Sequence, residues 1–176
     1  MKNQIILLLS LLLVFAITCT GCATKGEKTD LNIQKITYLV VNGDSIGTEI
    51  IVISSDLNAK KYQIMNEIDG GIDLKKGQLP PEGTYILKEY TIPEESWNAL
   101  IDSVNENDFA SLPEDLSNSK EVSDAADSYI IVTTDQTSYT VGGRDAGGAK
   151  DKASKRFAKV KEQFIDSFYE GSEVEF

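Results

Sequence analysis

Residues 142–161 hold the densest local chemistry in the chain. Gly142-Gly143-Arg144-Asp145-Ala146-Gly147-Gly148-Ala149-Lys150 joins a stretch of strand character to one of helix character. Backbone N–H groups of such a loop can hold an anion at a helix start. A phosphate-binding loop needs Gly, four residues, then Gly-Lys-Ser/Thr. Gly143 and Gly148 have that spacing, but Ala149 stands where the lysine belongs, and Asp145 and Asp151 add negative charge. A plain strand-to-helix connection is the simpler alternative, with Arg144 kept as a candidate contact for a small anion or carboxylate. Behind the loop come Lys150, Lys152, Lys155, Arg156, Lys159 and Lys161. Lys152, Lys155 and Lys159 share a helical face away from Phe157 and Phe164. They are candidate contacts for an acidic partner or lipid headgroups; a solvated helix face is the simpler alternative.

Acidic residues offer less. Asp115-Leu116-Ser117-Asn118-Ser119 begins like a calcium loop, but Lys120 stands at the sixth position, where Gly is needed, and Ala126 at the twelfth, where Glu is needed. An EF-hand is excluded, and Asp115, Asp124 and Asp127 remain only as a looser oxygen group. Two carboxylates can hydrolyse a glycoside, yet among 28 acidic residues close pairs arise by chance. The chain has no His and two Cys, so Ser-His-Asp and Cys-His nucleophiles and Cys/His zinc sites lack their parts. No catalytic residue, metal ligand or cofactor is assigned. With 17 basic residues against 28 acidic ones and a net charge of −11, nucleic acid is not the expected partner, because phosphate contacts need clustered cations.

The N-terminus carries the most specific pattern. Lys2 precedes an apolar run from Ile5 to Ile17, broken only by Ser10, and Thr18-Cys19-Thr20-Gly21-Cys22-Ala23 follows. The run is short of the ~20 residues of a transmembrane helix and suits a secretory h-region. This arrangement resembles the lipoprotein signal peptides of bacteria, with Gly21 as the small residue before the cysteine and Cys19 where the family usually has Leu. The resemblance implies cleavage after Gly21 and a diacylglyceryl thioether on Cys22. It further implies palmitate-type acyl chains and a lipid anchor in the cell membrane, facing outside the cytoplasm. Two chains suffice for stable anchoring. Lipidation would consume the one cysteine left after cleavage, so disulfides are not expected. Residues 1–21 are thus the signal peptide, 22–32 the lipidated cysteine and a flexible polar tether, and 33–176 a single domain.

The elements that must position these groups follow from periodicity. Ile33–Val41, Thr48–Ser54 and Lys61–Met65 read as three strands, with Asn42-Gly43-Asp44 and Asp56-Leu57-Asn58 as turns. Residues 66–83 contain Gly70, Gly71, Gly77, Pro80, Pro81 and Gly83 and predict a loop or irregular ribbon. Thr84–Thr91 is a fourth strand, with Tyr85, Leu87 and Tyr90 as burial candidates. Thr91-Ile92-Pro93-Glu94 has the capping-box pattern, opening a helix over residues 93–107 with Trp97, Leu100, Ile101 and Val104 on its apolar face. Phe109 and Leu112 close its end. After a polar loop over residues 117–127, Tyr129–Thr133 and Thr137–Val141 form a hairpin that Gly142-Gly143 terminates. A helix over residues 149–169 presents Phe157, Val160, Phe164 and Phe168. The order ββββαββα predicts an α+β fold, an antiparallel sheet of about six strands with two amphipathic helices on one face.

Together these features predict a membrane-anchored envelope lipoprotein with a non-catalytic binding or interaction domain, similar to small lipoproteins of Gram-positive bacteria. Its partners would be the membrane, through Cys22, and a protein or small ligand. Alternatives from other classes are a carboxylate-dependent hydrolase of cell-wall or extracellular substrates, and a modulator or inhibitor of a secreted enzyme. Mass spectrometry of the membrane fraction should find Cys22 as the mature N-terminus, carrying a diacylglyceryl group. An unmodified Cys22 on a soluble secreted product would refute the anchor.

Overall fold

β1 (Ile33–Val41) has apolar residues at both parities, and this makes it the centre of the molecule. Successive strand side chains point to opposite faces, so Ile36 and Tyr38 face one side and Leu39 the other, and all three are buried. The computed structural model describes residues 31–41, 47–66, 72–118 and 126–174. β1 pairs antiparallel with β2 (Glu49–Ser54) on one side and with β5 (Asp127–Thr134) on the other. β3 (Asn58–Ile64) and β4 (Tyr85–Thr91) continue the meander beyond β2, and β6 (Ser138–Arg144) closes the opposite edge beside β5. A two-residue β7 (Ser172–Glu173) adds to β4, giving a seven-stranded antiparallel sheet of order β6-β5-β1-β2-β3-β4-β7.

Two helices cover one face. α1 (Glu94–Glu106) buries Trp97, Leu100 and Val104, and α2 (Lys152–Tyr169) buries Phe157, Val160, Phe164 and Phe168. These residues recur at the 3.6-residue period, so they form one stripe on each helix. They pack against Ile36, Ile53, Ile130 and Val132 from the sheet. Arg156 locks the two helices together. Its guanidinium donates to the carbonyls of Asn107 (2.6 Å) and Asp108 (2.5 Å), just past the C-terminus of α1, and to Ser111 Oγ (2.9 Å), and it pairs with the Asp108 carboxylate at 3.1 Å. Carbonyls orphaned at a helix end thereby find a cation.

The opposite face is also covered, in part. Residues 72–81 cross it as a strap containing a single 3-10 turn, Leu74–Lys76. Leu74 packs onto a second core of Leu39, Ile50, Tyr62, Ile64 and Tyr129. The strap is held at β6, where Thr140 Oγ1 donates to the Lys75 carbonyl at 3.1 Å.

Four sequence expectations need correction. The sheet has seven strands, because the chain after α2 turns back at Gly171 and pairs two residues with Tyr90 and Thr91. The capping-box pattern does not cap: Pro93 is the N-cap of α1 and makes no side-chain cap bond, while Thr91 stays in β4. Leu87 is 39% exposed, and Tyr85 and Tyr90 are only partly buried, because β4 lies near the sheet edge. Gly142 and Gly143 lie inside β6 and do not terminate it. A Cβ on Gly142 would sit 2.2 Å from the Ser128 carbonyl oxygen, so only glycine fits there. Residues 114–118 run alongside this edge, with Leu116 N–H donating to the Gly142 carbonyl (2.7 Å) and Asn118 N–H to that of Arg144 (2.9 Å). The edge strand is thereby covered.

Leu31, at the end of the expected tether, is partly buried, packs against the helix-side core and donates its N–H to Asn105 Oδ1 at 3.3 Å. Cys22, the signal-like segment and the Asn42-Gly43-Asp44 turn lie outside the described residues. Among the described residues no helix is long and apolar enough to cross a membrane. Replacing Phe157 or Trp97 with Ala should destabilise the domain by about 3–5 kcal/mol in equilibrium denaturation. A loss below about 1 kcal/mol would mean that the helix stripes do not carry the core.

Candidate functional site

The strap stops short of covering the helix-free face, and the uncovered part is a groove. The register sets what lines it. Leu39, Ile50, Tyr62 and Leu87 stand in one cross-strand row, and Thr37, Val52, Lys60 and Glu89 in the next. Lys35 and Ser54 pair in the row beyond. The face therefore grades from apolar to charged across about three rows. Strap residues Leu74 and Gly77–Leu79 wall the apolar end of a cavity of about 490 Å³. The turn after β2 brings Asp56 and Asn58 to the polar end. That volume lies within the roughly 300–1,000 Å³ of small-molecule sites.

The charges in the groove are arranged unequally. Lys60 Nζ pairs with Glu89 Oε1 at 3.0 Å, and the Glu89 hydrogen bond raises the Lys60 ammonium above its ordinary value. Asp56 Oδ1 accepts from the Asn58 N–H at 3.3 Å, and hydrogen bonds from Asn58 hold its carboxyl below the ordinary value. Lys35 is partly buried and makes no ion pair or hydrogen bond through its ammonium among the described residues. At the far end of the strap, Lys75 Nζ lies 4.5 Å over the centre of the Tyr129 ring, and the Tyr129 side chain raises its pKa.

The glycine-rich loop is built differently from an anion cradle. Asp145 takes a left-handed conformation with φ 51°, and the Gly148 N–H closes the turn onto its carbonyl at 3.0 Å. The Asp145 carboxylate folds over Gly148, where a Cβ would meet Oδ2 at 2.3 Å, and it accepts from Asn118 Nδ2 at 2.8 Å. At the start of α2, Asp151 accepts from Ser154 N–H (2.9 Å) and Ser154 Oγ (2.6 Å). The loop and the helix end thus carry their own carboxylates. The depression beside them, about 400 Å³, is lined by Asp145, Glu162 and Asp166 against Lys161.

The other candidate residues are distributed as follows. Arg144 is exposed at the end of β6, and its N–H donates to Ser117 Oγ at 3.2 Å. Lys152, Lys155 and Lys159 are exposed on α2 with no carboxylate within 4.0 Å among the described residues, an arrangement suited to a salt-sensitive contact. Arg156 leaves that group for the α1 terminus. Asp115 caps its own turn through Ser117 N–H at 2.9 Å, and Ser117 holds its carboxyl low. Asp127 accepts from the Tyr129 hydroxyl at 3.5 Å, and Asp124 lies outside the described residues. Among the described residues no group of three acidic, His or Cys ligands converges.

Sequence reasoning missed the groove. Its signal was the both-parity apolar pattern of β1 and β2, which marks a sheet covered on two faces. With this architecture in view, no family model matches the chain and no curated protein matches its sequence.

Asp151 gives a pH test of the α2 cap. Bonds from Ser154 hold its carboxyl below the ordinary 3.8. A depressed carboxyl stabilises the fold fully above the unfolded value and loses that effect as pH falls through the folded one. Asp151→Asn keeps an acceptor oxygen and removes the titration. The wild type should melt at higher temperature above about pH 4, and the gap should close as pH drops below that value. A gap independent of pH would show that the charge of Asp151 contributes nothing.

Proposed function

We propose that this chain is a lipid-anchored envelope protein whose domain binds a ligand without transforming it, and that the groove beside the strap is where it binds. The single observation behind the binding site is the graded cavity: an apolar wall, a mixed floor and a polar end with a lysine that makes no ion pair among the described residues. The anchor rests on the resemblance of residues 1–23 to lipoprotein signals. Hydrogen bonds from Asn58 hold the Asp56 carboxyl at the polar end low, which keeps it charged for contact with a bound ligand.

Leu79 is 50% exposed on the strap and lines the groove, so Leu79→Trp should narrow the cavity and change stability by no more than about 0.5 kcal/mol. Native mass spectrometry of the full chain purified from its membrane should find a bound small molecule on the wild type and none on this variant. Equal occupancy of both, at equal stability, would place the binding elsewhere.

A further inference from the structure

We infer that the groove accepts a zwitterion with an apolar side chain, an amino acid or short peptide whose α-ammonium and α-carboxylate are both free. The inference rests on the groove being the binding site and adds the chemistry of its occupant. Four charged side chains line the cavity: Lys35, Asp56, Lys60 and Glu89. Lys60 and Glu89 neutralise each other at 3.0 Å. Lys35 and Asp56 remain, and they do not pair, since no lysine nitrogen lies within 4.0 Å of an Asp56 oxygen. Asn58 hydrogen-bonds the exposed Asp56 carboxylate through both its side chain and its N–H, and a carboxylate has further lone pairs that can accept from a ligand. Lys35 is partly buried in the row with Ser54, two residues along β1 from Thr37, and its ammonium makes no ion pair among the described residues.

A groove with one charge of each sign, not paired with each other, discriminates by charge balance. A simple anion would gain Lys35 and meet Asp56. A simple cation would gain Asp56 and meet Lys35. A zwitterion gains both, since its carboxylate and ammonium address two side chains that do not pair with each other. The remainder of the lining gives the side chain its place: Ile50, Val52, Tyr62, Leu74 and Leu79 form the apolar wall and floor. A free amino acid and a short peptide present the same terminal chemistry, and a cavity of about 490 Å³ has room for more than one residue.

Calorimetry on the full chain in mild detergent at neutral pH separates the cases, with leucine, the dipeptide Leu-Leu, N-acetyl-Leu-Leu and Leu-Leu amide as probes. Leu-Leu should bind at least about ten-fold more tightly than either blocked form, since each block leaves one protein charge unmatched. Leucine binding as tightly as Leu-Leu would identify the free amino acid as the source, and weaker leucine binding the peptide. Lys35→Gln should remove the advantage of Leu-Leu over its amide and leave affinity for the amide unchanged. Asp56→Asn should do the same for the N-acetyl form. Both positions are at the groove's polar end, so loss of all binding together with a lowered melting temperature would be read from the milder Lys35→Arg, which should keep the preference. Blocked and free peptides of equal affinity would overturn the zwitterion and leave a binding groove of other specificity. Absence of binding by every probe would overturn it too, and the broader proposal would still be judged by the bound mass on wild type against Leu79→Trp.

Discussion

Burial of β1 on both faces is the constraint from which the rest of the architecture follows. A strand with one wet face needs one layer of cover. β1 carries Ile36 and Tyr38 on one side and Leu39 on the other, all within the interior, and each large apolar side chain removed from water contributes about 1.5–3 kcal/mol. One layer of helices satisfies only the first set. The second set needs cover as well, and residues 72–81 supply it, although their Gly and Pro content forbids a long helix or a central strand. An irregular strap is what such a sequence can offer. It covers the apolar row of Leu39, Ile50 and Tyr62 through Leu74 and leaves the mixed row only partly enclosed. The groove is therefore a consequence of how far a short, irregular cover can reach.

Cations that stand out in the sequence are divided by the fold into two kinds. Arg156 is spent on the end of α1, where a planar guanidinium can satisfy two carbonyls and a hydroxyl at once. The lysines at 152, 155 and 159 lie on the outer face of the same helix. A count of positive residues along the sequence merges these two roles, because spacing of three and four residues says which face a residue shares but not what lies opposite. The glycine-rich stretch shows a parallel ambiguity. Its spacing is close to that of an anion loop. The reason for two of its glycines is steric: Gly142 lies against Ser128 and Tyr129, and Gly148 lies under the Asp145 carboxylate.

Much of the fold was legible because its signals are local. The helix stripes of Trp97, Leu100 and Val104, and of Phe157, Val160 and Phe164, follow from a period of 3.6, and all six residues are in the core. The β5–β6 hairpin likewise follows from two β-rich runs separated by a short polar turn. What was not legible depended on distance in sequence. β7 is two residues long and exists only because β4 is there to pair with it. Thr91 fails as a cap because its backbone is already committed to β4. The exposure of Leu87 depends on the strand's place near the edge, and no periodicity encodes strand order. The groove joins residues from β1, β2, β3, β4 and the strap, so it comes into being only once the register is set.

That dependence on register also explains how the groove forms without a sequence motif. A loop motif fixes geometry by short spacing in sequence. A sheet face fixes geometry by pairing: Lys35 opposite Ser54, Val52 opposite Lys60, Lys60 opposite Glu89. Slipping any of these strands by one residue would turn its charged residues toward the helices and bring others into the groove. The two-faced core prevents that slip, since a one-residue shift of β1 would exchange Ile36 and Tyr38 with Thr37 and Lys35 and place an ammonium in the helix-side core. The apolar demand that made the strap necessary thus also holds the polar end of the groove in register, and the stability of the fold and the shape of the groove are set by the same strand.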